Sequence, residues 1–144
     1  MTTFEVLIIC EPELMPTMGN SGDAGYDLKA AEPVVIEPGS RQLVPTGVKL
    51  ALPAGYVALV HPRSGLAAKN GITVLNAPGT VDAGYRGEIA VTLINHSTEL
   101  FSIARGDRIA QILFQKFESP RFIEVTELPG SQRGNAGFGS TGVK

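Results

Sequence analysis

The sequence predicts an all-β fold, a jelly-roll-like β-barrel with one short helix. Helical periodicity is nearly absent, whereas short apolar runs recur between breaks rich in glycine and proline, such as EPGS, LPAG, NAPG and DAGYRG. In GVKLAL, the apolar Val48, Leu50 and Leu52 alternate with Lys49 and Ala51, which is the period-2 pattern of a half-buried strand. Many short strands at this spacing are typical of a sandwich or barrel, with the jelly roll a natural candidate.

The predicted strands follow one another along the chain as FEVLII, PVVI, RQLVP, GVKLAL, YVALVH, ITVL, EIAVTLIN, LFSIA, RIAQILF and FIEVTEL. One segment, RSGLAAKNG, instead contains good helix formers and ends at Asn70-Gly71, so it predicts one or two helical turns with a glycine stop. EIAVTLIN is apolar on both faces, which is unusual in a small single barrel. Its second face is therefore predicted to contact another subunit.

Length and composition exclude several classes of protein. The 144 residues suit one domain, and a net charge of -2 disfavours nucleic-acid binding through a broad basic face. Cys10 is the only cysteine, so an intrachain disulfide cannot form. The segment MTTFEVLIICEPEL has no basic n-region and too short an apolar run for a signal peptide or membrane span. We expect a soluble cytoplasmic protein with no membrane partner.

Two loop segments carry candidate chemistry. APGTVDAGYRGEIAV places Asp82 and Tyr85 in a loop between two apolar strands, although a hairpin whose aspartate and glycines satisfy the turn is the more ordinary explanation of the segment alone. HPRSGLAAKNG places Arg63, Ser64 and Gly65 at a helix start, where a guanidinium, a hydroxyl and backbone N–H groups make a compact anion site. A serine cap beside a solvated arginine is the structural alternative.

Three further segments are weak individually. DAGYDLKA contains Asp27, which suits a hard cation or its waters but also a structural turn. RGDRIAQILF carries Arg108 and Gln111 on a strand, with a surface Asp–Arg pair as the alternative. The low-complexity tail RGNAGFGSTG has glycine backbone suited to an anion nest, together with Arg133 and Phe138, and plain disorder explains it as well.

Taken together, the five segments resemble the five ordered motifs of the trimeric dUTP pyrophosphatase (dUTPase) family. The matching stretches are AGYDLKA, PRSGLAAKNGI, GTVDAGYRGEI, RGDRIAQILF and RGNAGFGSTG, from Ala24 to Gly142. The resemblance implies hydrolysis of dUTP to dUMP and pyrophosphate, which limits uracil incorporation into DNA and supplies dUMP for thymidylate synthesis. It also implies a jelly-roll homotrimer whose subunits share each active site.

The resemblance assigns roles to individual residues. Asp82 is implied as the carboxylate that activates the attacking water. Asp27 is implied to contact waters on a magnesium ion (Mg²⁺) that is bound mainly by the triphosphate. The residues implied to hold the phosphates are Arg63, Ser64, Gly65 and Gln111.

Base and sugar selection are implied to lie in the hairpin. Strand backbone near Asn76, Thr80 and Val81 resembles the edge that pairs with uracil, completed by the Asn76 side chain and a backbone contact near Ala90. Tyr85 matches the ring that packs under the deoxyribose and excludes a ribose 2′-OH.

The tail is implied to close over the substrate. Residues 1–129 are expected to form the β-barrel core, and residues 130–144 a mobile glycine-rich flap. Ordering its ten-residue motif costs on the order of 10–20 kcal/mol, so the flap is expected to close only on a bound nucleotide. Phe138 would then cover the base, and the groups that close on the phosphates are Arg133, Gly139, Ser140 and Thr141.

Two alternatives remain open. A dCTP deaminase of the same superfamily would share the fold and hairpin, but it carries a catalytic glutamate on the following strand, where this chain has Thr92. A non-catalytic jelly-roll protein could keep the nucleotide site for regulation, although binding alone does not need the Asp82 carboxylate.

Overall fold

Eleven β-strands and one α-helix make up the regular structure of residues 3–143, the part of the chain that the computed structural model describes. The ends of the predicted core and flap, residues 1, 2 and 144, lie outside it. The elements are β1 (Leu7–Ile9), β2 (Thr17–Met18), β3 (Tyr26–Lys29), β4 (Val34–Ile36), β5 (Arg41–Ala51), β6 (Tyr56–His61), α1 (Ser64–Asn70), β7 (Ile72–Val74), β8 (Gly79–Val81), β9 (Glu88–Asn95), β10 (Phe101–Ile103) and β11 (Arg108–Lys116). A 3-10 turn spans Pro12–Leu14.

The strands form three antiparallel sheets around one apolar core. One sheet has the order β1-β5-β9-β7, the second β2-β3-β11-β6-β8, and β10 pairs with β4 alone. The buried cluster takes residues from all three sheets, among them Leu93, Ile112 and Ile36, each at most 1% exposed. Fully burying such a side chain contributes roughly 1.5–3 kcal/mol. The predicted all-β fold with one short helix is confirmed, and no helix within residues 3–143 is long and apolar enough to span a membrane.

The helix α1 matches the sequence prediction. It begins after Arg63, whose backbone is extended, and stops at Gly71, which adopts the left-handed conformation with φ 64°. The Gly71 N–H donates to the Ala67 carbonyl at 3.2 Å, so the last turn closes on the glycine as predicted.

Strand β5 is continuous where the sequence suggested two strands. RQLVP and GVKLAL join into Arg41–Ala51, and the register with β9 shifts between Pro45 and Val48. This β-bulge accommodates Thr46 and Gly47, the latter with φ 70°. The interruption predicted between the two strands is therefore a bulge within one strand.

Two apolar segments differ from their predictions in instructive ways. FIEVTEL forms no strand within residues 3–143, and Phe122 is 92% exposed, because a strand needs a backbone partner that this part of the described chain does not offer. On β9, Ile89, Val91 and Leu93 are buried, whereas Ala90, Thr92 and Ile94 on the other face are half-buried. The subunit contact on that second face stays a prediction.

A cluster of charged side chains fastens the N-terminal segment to the barrel. Arg105 donates to Glu11 and, at 3.0 Å, to Glu13, and its other terminal nitrogen donates to the Ala31 carbonyl at 2.6 Å. Backbone hydrogen bonding and the Arg105 side chain hold the pKa of Glu13 below its ordinary value, and the same ion pairs raise the pKa of Arg105. The cluster is exposed, so it orients the segment more than it stabilises the core.

Candidate active site

The loop between β8 and β9 and the strands around it enclose a cavity of about 210 Å³. Six of the residues predicted from the sequence line it: Asn76, Thr80, Val81, Asp82, Tyr85 and Ala90. Backbone groups of β8 and β9 edge the cavity, and buried apolar side chains such as Val74 and Val91 close its base. Such a wall suits a planar polar ring that is recognised by main-chain donors and acceptors.

Asp82 stands at the mouth of this cavity. It follows the last residue of β8, its carbonyl accepts the Tyr85 N–H at 3.0 Å, and its side chain is exposed. The turn therefore fixes the Asp82 backbone while water can reach the carboxylate. That combination suits a general base acting on a water molecule.

Tyr85 is held against its own turn. Its hydroxyl donates to the Glu88 carbonyl at 2.8 Å. A Cβ built on Gly87 would lie 2.5 Å from the Tyr85 hydroxyl oxygen, so the ring occupies the space that any larger residue at 87 would need. Tyr85 is 48% exposed and lines the cavity.

Asn76 corrects one detail of the sequence prediction. Strand backbone was expected near Asn76, Thr80 and Val81, but only the last two belong to β8. Asn76 lies in the turn after β7, because Ala77 and Pro78 follow it, with a cis peptide between them. Asn76 therefore lines the cavity from a turn and not from a strand.

A second cavity of about 430 Å³ lies between β3, β11 and the start of α1. Five further predicted residues line it: Asp27, Arg63, Ser64, Gly65 and Gln111. Arg63 Nε donates to Asp27 Oδ1 at 3.1 Å, and Arg108 Nη1 lies 3.5 Å from Asp27 Oδ2. Two guanidinium groups beside a hydroxyl and a glycine turn make this cavity suited to phosphate.

Gln111 ties together three segments around the second cavity. Its Nε2 donates to the Pro62 carbonyl at 2.9 Å, immediately before the turn that leads into α1. A Cβ built on Gly25 would lie 2.2 Å from Gln111 Oε1, so the glycine leaves room for the amide. The side chain thus links β11 to the entry of β3 and to the Arg63 turn.

Arg108 was missed as a site residue. The structural alternative for this segment was a surface Asp–Arg pair, but Asp107 caps its own turn by accepting the Ala104 N–H at 2.8 Å. Arg108 points to Asp27 and lines the phosphate-suited cavity. The only sequence signal was its position three residues before Gln111 on the same strand, and pairing across strands is not visible in one motif.

The two cavities are well separated in one chain. Asp27, Gln111 and His61 lie opposite one another across β3, β11 and β6, whereas Val81 lies opposite Ala58. Three interstrand spacings and three residues along β6 put Val81 roughly 17 Å from Asp27. The cavities share no lining residue within the described chain.

The tail residues contribute to neither cavity in the chain as described. Local turns shape this segment, with Arg133 Nε donating to the Ala136 carbonyl at 2.7 Å. Phe138 is fully exposed and has φ 50°. The remaining residues predicted in the tail, which the structure likewise does not bring to the cavities, are Gly139, Ser140 and Thr141.

No group of three or more His, Cys, Asp or Glu side chains within residues 3–143 is arranged to hold a metal ion alone. Asp27 does offer a carboxylate that opens into the phosphate-suited cavity, with its side chain 16% exposed. The donor set therefore fits a Mg²⁺ ion that keeps most of its water and phosphate ligands.

The antiparallel jelly-roll fold, with an anion-suited cavity and a separate hairpin that carries a carboxylate, is that of an all-β protein suited to binding a phosphate ester. Comparison with known proteins narrows this class, since residues 12–142 match the dUTPase family. This chain belongs to the dUTPase family.

Named relatives agree with that assignment. A deoxyuridine 5'-triphosphate nucleotidohydrolase of Bifidobacterium longum (strain DJO10A) is 62% identical over 125 residues, covering 86% of this chain and 79% of the relative. The dUTPase of Staphylococcus bacteriophage 80alpha with dUPNHPP matches at a TM-score of 0.88 and 30% identity, covering 98% of this chain and 100% of the other. A variant dUTPase of phage phi11 of S. aureus, described as coordinating a structural Mg(II) ion, matches at a TM-score of 0.80 and 25% identity, covering 88% and 100%.

Proposed function

We propose that this protein hydrolyses dUTP to dUMP and pyrophosphate in the cytoplasm. The observation that carries the proposal is the exposed Asp82 carboxylate at the mouth of a hairpin cavity whose walls are strand backbone. Family membership over residues 12–142 supports the same reaction. The solved relative with dUPNHPP, an analogue of dUTP, supports the substrate.

In the proposed complex the hairpin cavity takes the uracil ring. Backbone groups of Thr80, Val81 and Ala90 pair with the base together with the Asn76 amide. A cytosine would leave buried polar groups unpaired, and a thymine methyl group would lack room. The Tyr85 ring packs under the deoxyribose, where a 2′-OH would clash with it.

The second cavity takes the triphosphate. Arg63 and Gln111 donate to phosphate oxygens, together with the hydroxyl of Ser64 and the backbone of Gly65. Arg108, which lines the same cavity, adds a second guanidinium. These donors compensate the charge that builds on the phosphates in the transition state.

Asp82 performs the proton transfer. Its carboxylate orients a water molecule and accepts a proton as the water oxygen bonds to the α-phosphorus. The bond from the α-phosphorus to the bridging oxygen of the β-phosphate breaks, and pyrophosphate leaves. A bound Mg²⁺ would supply charge neutralisation on the phosphates, and Asp27 would hold its waters.

A complete site requires more than one chain. Asp82 and the phosphate donors must both reach the α-phosphate, yet Val81 in one cavity and Asp27 in the other lie roughly 17 Å apart in one subunit. We therefore propose a homotrimer in which one subunit supplies the hairpin, a second the Arg63 turn and the third the tail. Residues 130–144 act as a mobile flap whose Arg133, Phe138 and Gly139–Thr141 segment closes on the bound nucleotide.

The dCTP deaminase alternative lacks its glutamate, since Thr92 occupies that place on β9. The regulatory alternative does not account for the Asp82 carboxylate, because nucleotide binding alone does not require a group that activates water.

The decisive experiment measures pyrophosphate release from dUTP with and without EDTA, beside dCTP, dTTP and UTP. We expect pyrophosphate release from dUTP but not from the other three nucleotides, and we expect EDTA to abolish it. Ammonia release from dCTP would establish the deaminase instead, and nucleotide binding without turnover would establish the regulatory protein.

A further inference from the structure

Glu88, a residue with no assigned role, connects the hairpin cavity to the bulge in β5. It is the first residue of β9 and lines the cavity. Its Oε1 accepts the Gly47 N–H at 2.8 Å, across the gap that the bulge opens in the β5–β9 ladder. A side-chain carboxylate thus replaces a missing ladder acceptor at this point.

The bulge is fastened at a second point beside it. The buried Thr46 hydroxyl donates to the Ile89 carbonyl at 2.5 Å and accepts the Val48 N–H at 3.3 Å. Gly47 has φ 70°, and a Cβ there would lie 2.7 Å from Leu14 Cδ1. The bulge therefore has a fixed conformation, and it gives the Glu88 side chain a rigid anchor.

The other end of Glu88 holds Tyr85. The Tyr85 hydroxyl donates to the Glu88 carbonyl at 2.8 Å, and the ring lies over Gly87, one residue before. The depth of the ring in the cavity is consequently set by where the Glu88 backbone sits. The Glu88 backbone pairs with Lys49 in the β5–β9 ladder, and the side-chain bond to Gly47 holds it where the bulge interrupts that ladder.

We propose that Glu88 is a positioning residue that sets the discrimination between deoxyribose and ribose by fixing Tyr85 against the β5 bulge. This inference rests on the proposed dUTP hydrolysis and on Tyr85 facing the sugar. Glu88 does not donate to or accept from the substrate in this scheme. Its loss would let the ring retreat and admit the 2′-OH, while Asp82 and the phosphate donors keep their positions.

Two matched variants of Glu88 distinguish the effect of side-chain length from the effect of its negative charge. Glu88→Asp keeps the charge but shortens the side chain by one methylene, so its carboxylate falls short of Gly47. Glu88→Gln loses the charge but keeps an acceptor oxygen at the same reach. Glu37→Gln, at an exposed position in the turn before β5, controls for a general change of surface charge.

The first measurement is the ratio of kcat/KM for dUTP to that for UTP. In Glu88→Asp we expect this ratio to fall about tenfold, through a lower KM for UTP, with kcat for dUTP changed less than about threefold. Glu88→Gln and Glu37→Gln should keep the parent ratio. An equal loss of selectivity in Glu88→Gln, or an unchanged ratio in Glu88→Asp, would overturn the proposal.

The second measurement is independent of activity. The amide resonances of Gly47 and Gly87 report the carboxylate hydrogen bond and the ring current of Tyr85, and both should shift in Glu88→Asp but not in Glu37→Gln. If the parent does not hydrolyse dUTP, the proposed function fails, while these resonances still decide whether Glu88 positions Tyr85. Resonances that stay unmoved in Glu88→Asp would overturn the positioning role itself.

Discussion

Arg63 and Asp27, which are 36 residues apart in the chain, form an ion pair with Nε 3.1 Å from Oδ1 in the lining of the phosphate-suited cavity. The pair joins β3 to the turn that opens α1. It fixes the guanidinium before any anion arrives, which lowers the ordering cost of binding. The same carboxylate also faces Arg108.

Replacing Asp27 with Asn should raise the Mg²⁺ concentration needed for half-maximal activity. The amide keeps the shape of the side chain but loses the charge that attracts hydrated Mg²⁺ and orients Arg63. A bond to a charged group contributes enough for about a tenfold effect. Metal titration of the dUTP reaction checks this, with Glu37→Gln as control. An unchanged titration curve would remove Asp27 from the proposed metal contact.

Replacing Asp82 with Asn should stop catalysis and preserve binding. The amide fits the same turn but cannot accept the proton of the water, so kcat should fall by about 10²–10⁴. Calorimetric titration with a non-hydrolysable dUTP analogue should give near-parent affinity. Turnover at the parent rate would show that another group is the base.

Truncation after Pro129 should separate stability from activity. Residues 130–143, the described part of the deleted segment, contribute nothing to the buried core cluster, so the thermal midpoint should hold. Activity should drop at least about a hundredfold, because Arg133 and the glycine backbone no longer reach the phosphates. Full activity in the truncated chain would mean that the tail is a frayed end.

Mixing two inactive variants should restore activity if the site is shared. Asp82→Asn damages only the hairpin contribution, and the chain ending at Pro129 lacks only the tail contribution. Mixed trimers assembled by unfolding and refolding the two together should contain some sites with both parts intact. Each variant refolded alone serves as control. Activity no higher in the mixture than in the controls would place the whole site in one chain.

Acid should weaken the ion pair between Glu13 and Arg105. The pKa of Glu13 is lowered from 4.5 in the folded protein, first by backbone hydrogen bonding and then by Arg105, so the folded state binds fewer protons than the unfolded state. The stabilisation is present above about pH 4.5 and is lost as the pH falls through the folded pKa. Glu13→Gln should therefore show a small deficit in thermal midpoint at neutral pH that disappears in acid. A deficit that grows in acid would contradict this.

Most of the fold could be predicted from the sequence because helix ends and strand faces are determined by neighbouring residues. Gly71 ends α1 as its sequence context predicted, and the alternation around Val48 and Leu50 produced the expected buried face. FIEVTEL has the composition of a strand, but composition cannot specify the partner that a strand requires. At Thr46-Gly47 a turn-like pair became a bulge, because the buried hydroxyl bonds across to β9.

The candidate site was likewise predictable where local composition identifies a residue and unpredictable where strand pairing does. Segments with unusual local composition, such as the loop that carries Asp82 and Tyr85, could be identified from sequence. Arg108 and Glu88 could not, since their significance lies in the register that brings them to Asp27 and Gly47. A residue whose role depends on contact with a neighbouring strand cannot be identified from its own sequence motif.

The wide separation of the two cavities on one chain constrains how copies can associate. In the proposed shared site, a hairpin on one subunit meets a phosphate turn on the next, so the contact would be head to tail and each chain would offer two different surfaces. A pair of chains joined in this way would leave one hairpin and one turn unmatched at its open ends. A closed ring matches every surface, and the proposed trimer then contains as many complete sites as chains.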